Sequence, residues 1–280
     1  MRAHLDDLVG NALAAGGAVP ALTCYDFTTA LAVVEAAEAA GTGVILLVAP
    51  KSAASVSGLR LVSALRGLAD AATVPVCVQL DHASNLEAIK AGIDAGADSV
   101  LADGSSLELE ANIALVNSVR AAIDNPDIVI EAELGGLAGN EDKAFALAAT
   151  GLTDEAQVAD FVRRSGAQLL AVAVGNVHGK YAGEPMLHWD LLERIAAEAG
   201  VPLVLHGASG IPAEDLAKAP GLRVGKVNFN TELRTDVLGM LESEVSAHRV
   251  DGENLLGLLT LWNATARGFA AKTLELLGGK

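Results

Sequence analysis

The residues best suited to chemistry come in short contexts. They are Asp81 and His82 in LDHA, Asp103 in ADGS, Glu131 and Glu133 in EAELGG, His178 in GNVHGKY and His206 in LHGASG. Three imidazoles meeting at one place would make a metal site with an open fourth position, the arrangement of catalytic zinc. The plainer reading of any one histidine is a hydrogen-bonded polar residue or a proton shuttle. Their number tips the balance, because three of only six histidines in the chain follow apolar runs in this way. The others carry no such signal. His4 and His248 read as solvated, and His188 beside Trp189 reads as a capping or packing residue.

The carboxylates divide by position. Asp81 directly precedes His82, which puts an acid/base group beside a metal ligand, as proton transfer near a polarised carbonyl needs. Its alternative is to orient a histidine. Glu131 and Glu133 are two residues apart and so share one face of a strand. Buried there, they need an ion pair or a metal. Asp103 fits either a helix cap or a second metal position. The glycine-rich ELGGLAGNED (133–142) has the profile of a mobile active-site loop that could carry Glu141 onto substrate. Asp142 reads as part of a solvated turn.

Two further segments suit phosphate. HGASG sets Gly207, Ala208 and Ser209 between a strand and a helix, with backbone N–H groups free for an anion, and NFNTEL repeats the arrangement with Asn228, Asn230 and Thr231. A net charge of −16 repels phosphate at long range. The positive potential must therefore be local, from a metal, helix termini, and Lys180 or Lys226. GNVHGK is one residue short of a P-loop, and GASGI lacks the second glycine of a nucleophile elbow.

The elements that must position these groups are short strands alternating with amphipathic helices. Apolar runs rich in Val, Ile and Leu fall at roughly 20–25, 44–49, 74–80, 99–103, 128–134, 168–174, 201–206 and 224–229. Helical stretches between them, such as 85–96 and 154–166, open near a capping residue and end in glycine. Near-continuous apolar strands belong to parallel sheets buried on both faces, and eight βα units in about 250 residues is the arithmetic of a TIM barrel. The expected fold is α/β: a single (β/α)8 TIM-barrel domain over residues 1–280, with an extra C-terminal helix at 252–277. The open doubly wound alternative lacks its GxGxxG fingerprint. In a barrel the strand ends line the active site, where every residue named above would fall.

Composition narrows the function classes. Half the chain is hydrophobic (51%), only 19% is charged and 29 residues are glycine, which excludes disorder and collagen-like repeats. The acidic balance argues against nucleic acid or a membrane surface as partner. No apolar run approaches the 18 or so residues of a membrane span. Cys24 and Cys77 form no disulfide framework, and MRAHLDDLVG lacks a signal peptide's apolar stretch, so a cytoplasmic protein is expected.

LDHA (80–83), ADGS (102–105), EAELGG (131–136), AVGNVHGKYAGEP (173–185), LHGASG (205–210) and KVNFNTEL (226–233), in this order and spacing, resemble the class II, zinc-dependent ketose-bisphosphate aldolases, which include fructose- and tagatose-bisphosphate aldolases. The resemblance implies reversible cleavage of a ketose (bis)phosphate, by default fructose 1,6-bisphosphate, to dihydroxyacetone phosphate and an aldehyde through a metal-stabilised enediolate. It implies His82, His178 and His206 as zinc ligands, with Asp103 and Glu133 at a second or vacated metal position. Asp81 would protonate the aldehyde oxygen, and Glu141 would take the donor's proton. Gly179, Gly207, Ala208, Ser209, Asn228, Phe229, Asn230 and Thr231 would hold dihydroxyacetone phosphate. A monovalent cation near the phosphate loops and a homodimer or homotetramer are also expected.

The chain departs from the family at its first strand, where ALTCYD has Thr23 and Asp26 in place of asparagines, and at VAPKSAAS after the second strand. The resemblance implies that these positions face the aldehyde half of the substrate or shape its entry, so another acceptor is the alternative: tagatose bisphosphate, or a deoxy or non-phosphorylated aldehyde. Asp26 would repel a second phosphate, and Arg249 and Arg267 are candidates for that phosphate by location only. A Schiff-base route has Lys226 as its one inward lysine. A non-catalytic barrel subunit, and a metal-dependent lyase or epimerase of other phosphosugars, are the remaining readings.

Overall fold

A computed structural model describes residues 1–139, 143, 145–149 and 151–279. Eight parallel strands close into one barrel: β1 (Val19–Thr23), β2 (Val44–Val48), β3 (Val76–Ala83), β4 (Ser99–Ala102), β5 (Val129–Leu134), β6 (Leu169–Val172), β7 (Leu203–Leu205) and β8 (Val224–Phe229). Each pairs with its sequence neighbours, and β8 returns to β1 through Ala21 opposite Asn228. All eight fall on the apolar runs expected from sequence.

The helices are α1 (Leu5–Ala14), α2 (Phe27–Ala40), α3 (Pro50–Ala53), α4 (Val56–Ala71), α5 (Leu86–Asp94), α6 (Leu109–Ala122), α7 (Glu155–Ser165), α8 (Trp189–Glu198), α9 (Ala213–Leu216), α10 (Thr231–Val250) and α11 (Leu255–Leu277). Their ends follow local chemistry. Asn85 and Asp154 accept N-cap bonds at α5 and α7, and Gly166 closes α7 in the left-handed conformation. The extra C-terminal helix is α11, packed on α2 and α10. Among the described residues no helix is long and apolar enough to cross a membrane.

Two cores result. One lies between the strands' outer faces and the helices. The other fills the lower barrel, where Leu5, Leu8 and Val9 of α1 plug the N-terminal end against Val19, Ile45, Cys77, Val129 and Val204. Above that plug the inward residues turn polar with the strand period of two. Cys77 is followed by Gln79 and Asp81, Val129 by Glu131 and Glu133, Val204 by His206, and Lys226 by Asn228; all are buried. The barrel thus passes from oil to ionisable groups within two side-chain steps.

The third strand runs beyond the expected end at Leu80 because its last residues are polar but still paired. The register with β4 shifts between Leu80 and Ala83, and His82 takes a positive φ of 43°. A regular strand would send Asp81 and His82 to opposite faces. The irregularity brings both to the barrel mouth.

Candidate metal centre and active site

Three loops bring the histidines together. His82 is the last but one residue of β3, His206 follows β7, and His178 lies on a short strand, Val177–His178, that pairs with Ala138–Gly139. The ring centroids lie 4.7 Å (His82–His178), 4.9 Å (His82–His206) and 5.7 Å (His178–His206) apart. One nitrogen from each lies within 4.8 Å of the other two, close enough for the three to hold one ion. His82, Asp103 and Glu133 form a second such group. The structure thus brings together the three imidazoles singled out in the sequence, and the two carboxylates assigned to a second position lie beside them.

Hydrogen bonds fix how the rings stand. His82 Nδ1 is 2.8 Å from Asp103 Oδ2 and 3.5 Å from Glu133 Oε2. Asp103 also accepts from the Ser105 backbone N–H, so it turns its own loop and orients His82 rather than capping α6. Burial alone would raise its pKa, but the hydrogen bond and charge of His82 hold the carboxyl well below the usual range. Glu133 stands in the opposite condition. Burial pushes it up to about 7, and Asp103 and Glu131 add to the rise against the pull of His82 and His206. Its Oε2 and His206 Nδ1, both buried, have no hydrogen-bond partner among the described residues and lie 3.6 Å apart. A divalent cation fits this donor set: borderline imidazole nitrogens with hard carboxylate oxygens beside them.

Beneath the three imidazoles lies a bonded network that sequence reasoning saw only in part. Glu131 Oε1 meets His206 Nε2 at 2.9 Å, and Oε2 accepts from Lys226 Nζ at 2.7 Å and Gln79 Nε2 at 2.8 Å. His206, Glu131, Gln79 and Lys226 are all fully buried. Burial works to raise the Glu131 pKa, but Lys226 and His206 bring it down to about 2. Lys226 is therefore neither a source of potential for phosphate nor an open amine, and the Schiff-base alternative has no nucleophile in it. Asn176 was missed altogether. Its amide donates to the His206 carbonyl at 2.9 Å and its oxygen accepts from the Val174 N–H at 2.8 Å, tying the sixth and seventh loops together. Nothing in GNVHG singles out that asparagine.

Asp81 is buried directly beside His82. A cavity of about 300 Å³ next to His178 is lined by Gly179, Lys180, Tyr181, Ser209, Gly210 and Thr231, together with the carboxylates Glu232 and Asp236. The N-terminus of α10 opens beside it at Thr231, which brings its positive end to the cavity. Tyr181 donates to the Gly207 carbonyl at 3.0 Å, and the Gly210 N–H is taken by Glu232 at 2.8 Å. Asn228 is buried with neither end of its amide hydrogen-bonded among the described residues, as a ligand-facing group would be. Phe229 differs from the expectation in one respect. Its ring packs against Phe269, 6.1 Å between centroids, so only its backbone is available to substrate. Glu141 and Asp142 lie outside the described residues.

Of the two departures at the first strand, Asp26 has a structural role. Asp26 caps α2, accepting from the Thr29 N–H at 2.9 Å and the Thr29 hydroxyl at 2.7 Å, and Trp262 donates to that same hydroxyl at 2.9 Å. Thr23 is buried at the end of β1. Arg249 is exposed and faces Glu253 at 3.6 Å, eighteen residues along α10 from the mouth, about 27 Å of helix.

Fold and site together define a parallel-barrel enzyme with a histidine-lined mouth at the strand ends. Residues 3–278 match the class-II fructose-bisphosphate aldolase family, and the chain belongs to that family; it is an aldolase, a carbon–carbon lyase. It is 40% identical over 220 residues to the D-tagatose-1,6-bisphosphate aldolase subunit GatY of Klebsiella oxytoca, covering 78% of each chain. Among solved structures it resembles the YdjI aldolase of Escherichia coli K12, with 29% identity, a TM-score of 0.87, and 100% of this chain and 98% of that one covered. The fructose-bisphosphate aldolase of Campylobacter jejuni, 21% identical, shares the fold at a TM-score of 0.81 over 98% and 93% of the two chains.

Proposed function

We propose that the chain cleaves a ketose 1,6-bisphosphate, fructose or tagatose, reversibly to dihydroxyacetone phosphate and an aldehyde, with zinc held by His82, His178 and His206. The observation that carries the reading is the meeting of three imidazoles within 4.8 Å of one another, with a buried aspartate next to His82 and a cavity of about 300 Å³ that begins at Gly179, next to His178. Bound there, zinc would supply Lewis acidity toward the donor ketone. Asp81 takes the hydroxyl proton of the acceptor half as the carbon–carbon bond breaks, and returns it to the aldehyde oxygen in synthesis. Glu141 exchanges the proton on the donor carbon. Gly179, the backbone of Gly207–Ser209 and Asn228–Thr231 hold the phosphate, with the α10 N-terminus supplying potential that the acidic chain as a whole does not. Glu133 and Asp103 would hold a second metal, and a monovalent cation would bind near the phosphate loops.

The relative's name supports tagatose bisphosphate, and the family's name supports its C4 epimer. Coupled turnover of both, before and after chelation and with zinc restored, tests the proposal, and Asp81→Ala serves as the control. Cleavage should vanish with the metal and return with it; activity that survives complete zinc removal refutes the reading.

The same proposal includes assembly as a homodimer or homotetramer, supported by Leu238, Val250, Leu255 and Leu256, which stand exposed on α10 and α11. Light scattering on the eluted protein measures it. A cytoplasmic location is supported by the two free, buried thiols of Cys24 and Cys77.

A further inference from the structure

We propose that Glu131, clamped by Lys226 and Gln79, is the positioning residue that holds His206 in a single tautomer, with its proton on Nε2 and its lone pair on Nδ1 toward the metal site. The inference rests on the proposed role of His206 as a ligand.

Donors and acceptors in a fully buried space set this tautomer. Glu131 Oε2 faces two donors, the Lys226 ammonium at 2.7 Å and the Gln79 amide at 2.8 Å. The ammonium has no acceptor capacity, so the carboxylate beside it is the accepting partner. The remaining oxygen, Oε1, stands 2.9 Å from His206 Nε2 and can only accept, so Nε2 must donate. A neutral imidazole has one N–H, which leaves Nδ1 as the lone-pair nitrogen. That atom is the one with no hydrogen-bond partner among the described residues, 3.6 Å from Glu133. The backbone adds a second restraint, because Asn176 holds the His206 carbonyl. Ring, tautomer and loop are therefore set before an ion arrives. Outer partners of this kind commonly affect metal affinity by 10–100-fold when lost.

An isosteric change makes the idea testable. In Glu131→Gln the new amide must still offer an oxygen to Lys226 and Gln79, so its NH2 group turns toward His206 Nε2. The ring then answers with the other tautomer and places a proton on Nδ1. Adding Lys226→Met removes the ammonium that dictates this orientation. Gln79 Oε1 has no hydrogen-bond partner among the described residues, so Gln79 can turn it to receive the new amide's NH2. The oxygen at position 131 is then free to face Nε2 again.

The experiment is long-range 1H–15N NMR of histidine-labelled, metal-free protein, with His206 assigned through a His206→Gln variant, together with zinc affinity by chelator competition. The wild type should carry the His206 proton on Nε2. Glu131→Gln should carry it on Nδ1 and bind zinc about 10–100-fold more weakly. The double variant should regain the first tautomer and affinity within a few-fold of wild type. A proton on Nδ1 of the wild type, or undiminished zinc affinity in Glu131→Gln, overturns the inference and leaves the aldolase reading standing. A wild type that takes up no zinc overturns both. The wild-type spectrum decides the tautomer even if a variant fails to fold.

Discussion

Gly207 couples the phosphate loop to a proposed metal ligand, and Gly207→Ala should break that coupling. The residue has φ +60°, and a Cβ built on it would lie 2.0 Å from the Val177 carbonyl oxygen and 2.7 Å from its carbon. Contacts of real Cβ atoms essentially never fall below 3.0 Å, so one segment must move by about 1 Å. Both segments are backbone, and neither has a flexible side chain to yield. Val177 precedes His178 on its short strand, and Gly207 follows His206, so any relief displaces one imidazole relative to the other. The left-handed φ adds strain of about 1–2 kcal/mol for a residue with a Cβ. A misplacement of about 1 Å at a reacting centre costs about 10²-fold in rate. The variant should therefore lose about two orders of magnitude in kcat/KM and bind zinc more weakly, while remaining folded by circular dichroism. Gly67→Ala is the control. It is exposed in the middle of α4 with nothing within 4 Å of a new Cβ, and should gain about 0.5–1 kcal/mol with unchanged kinetics. If Gly207→Ala keeps kcat/KM within threefold of wild type, the coupling argument fails.

Two further outcomes rest on the hydrogen bonds of Asp26 and Glu131. Asp26→Ala removes the cap of α2 and one end of the Asp26–Thr29–Trp262 chain, and should cost about 1–2 kcal/mol in urea unfolding; a loss under 0.3 kcal/mol would refute the capping role. Glu131 is depressed from 4.5 to about 2, so its contribution is fully present above pH 4.5 and is lost as pH falls through 2. That contribution is on the order of 3 kcal/mol, and the stability gap between wild type and Glu131→Gln should narrow across that window. A constant gap from pH 7 to pH 2 would contradict it.

The barrel was legible because its signal is local. Each strand is an apolar run whose length matches a parallel, doubly covered strand, and each ends in the residues that line the mouth. The rule failed at β3 for a physical reason. Asp81 and His82 are still strand, but their polarity ends the apolar run, and only the register shift and positive φ at His82 make the extra pairing compatible with two side chains at the mouth. The three imidazoles were legible because strand ends are predictable positions. Their tautomers and the bonds that set them were not.

Lys226 shows where reading by type runs out. In sequence it is one of few cations near a phosphate motif and the one inward lysine, which recommends it for anion binding or for a Schiff base. Strand alternation alone placed it inward, but one side-chain step below the mouth, level with a glutamate 95 residues away. No short-range pattern encodes that level, because it depends on the stagger between β5 and β8 around a closed barrel. Once paired, the lysine carries no net charge upward to substrate. The three carboxylates above it, Asp81, Asp103 and Glu133, then face the imidazoles without its help, and burial raises Glu133 to about 7. On the proposed reading, cation binding at the mouth and the neutral ion pair beneath it are two halves of one electrostatic arrangement: Lys226 keeps Glu131 an acceptor, so His206 donates on one side and would hold the metal on the other.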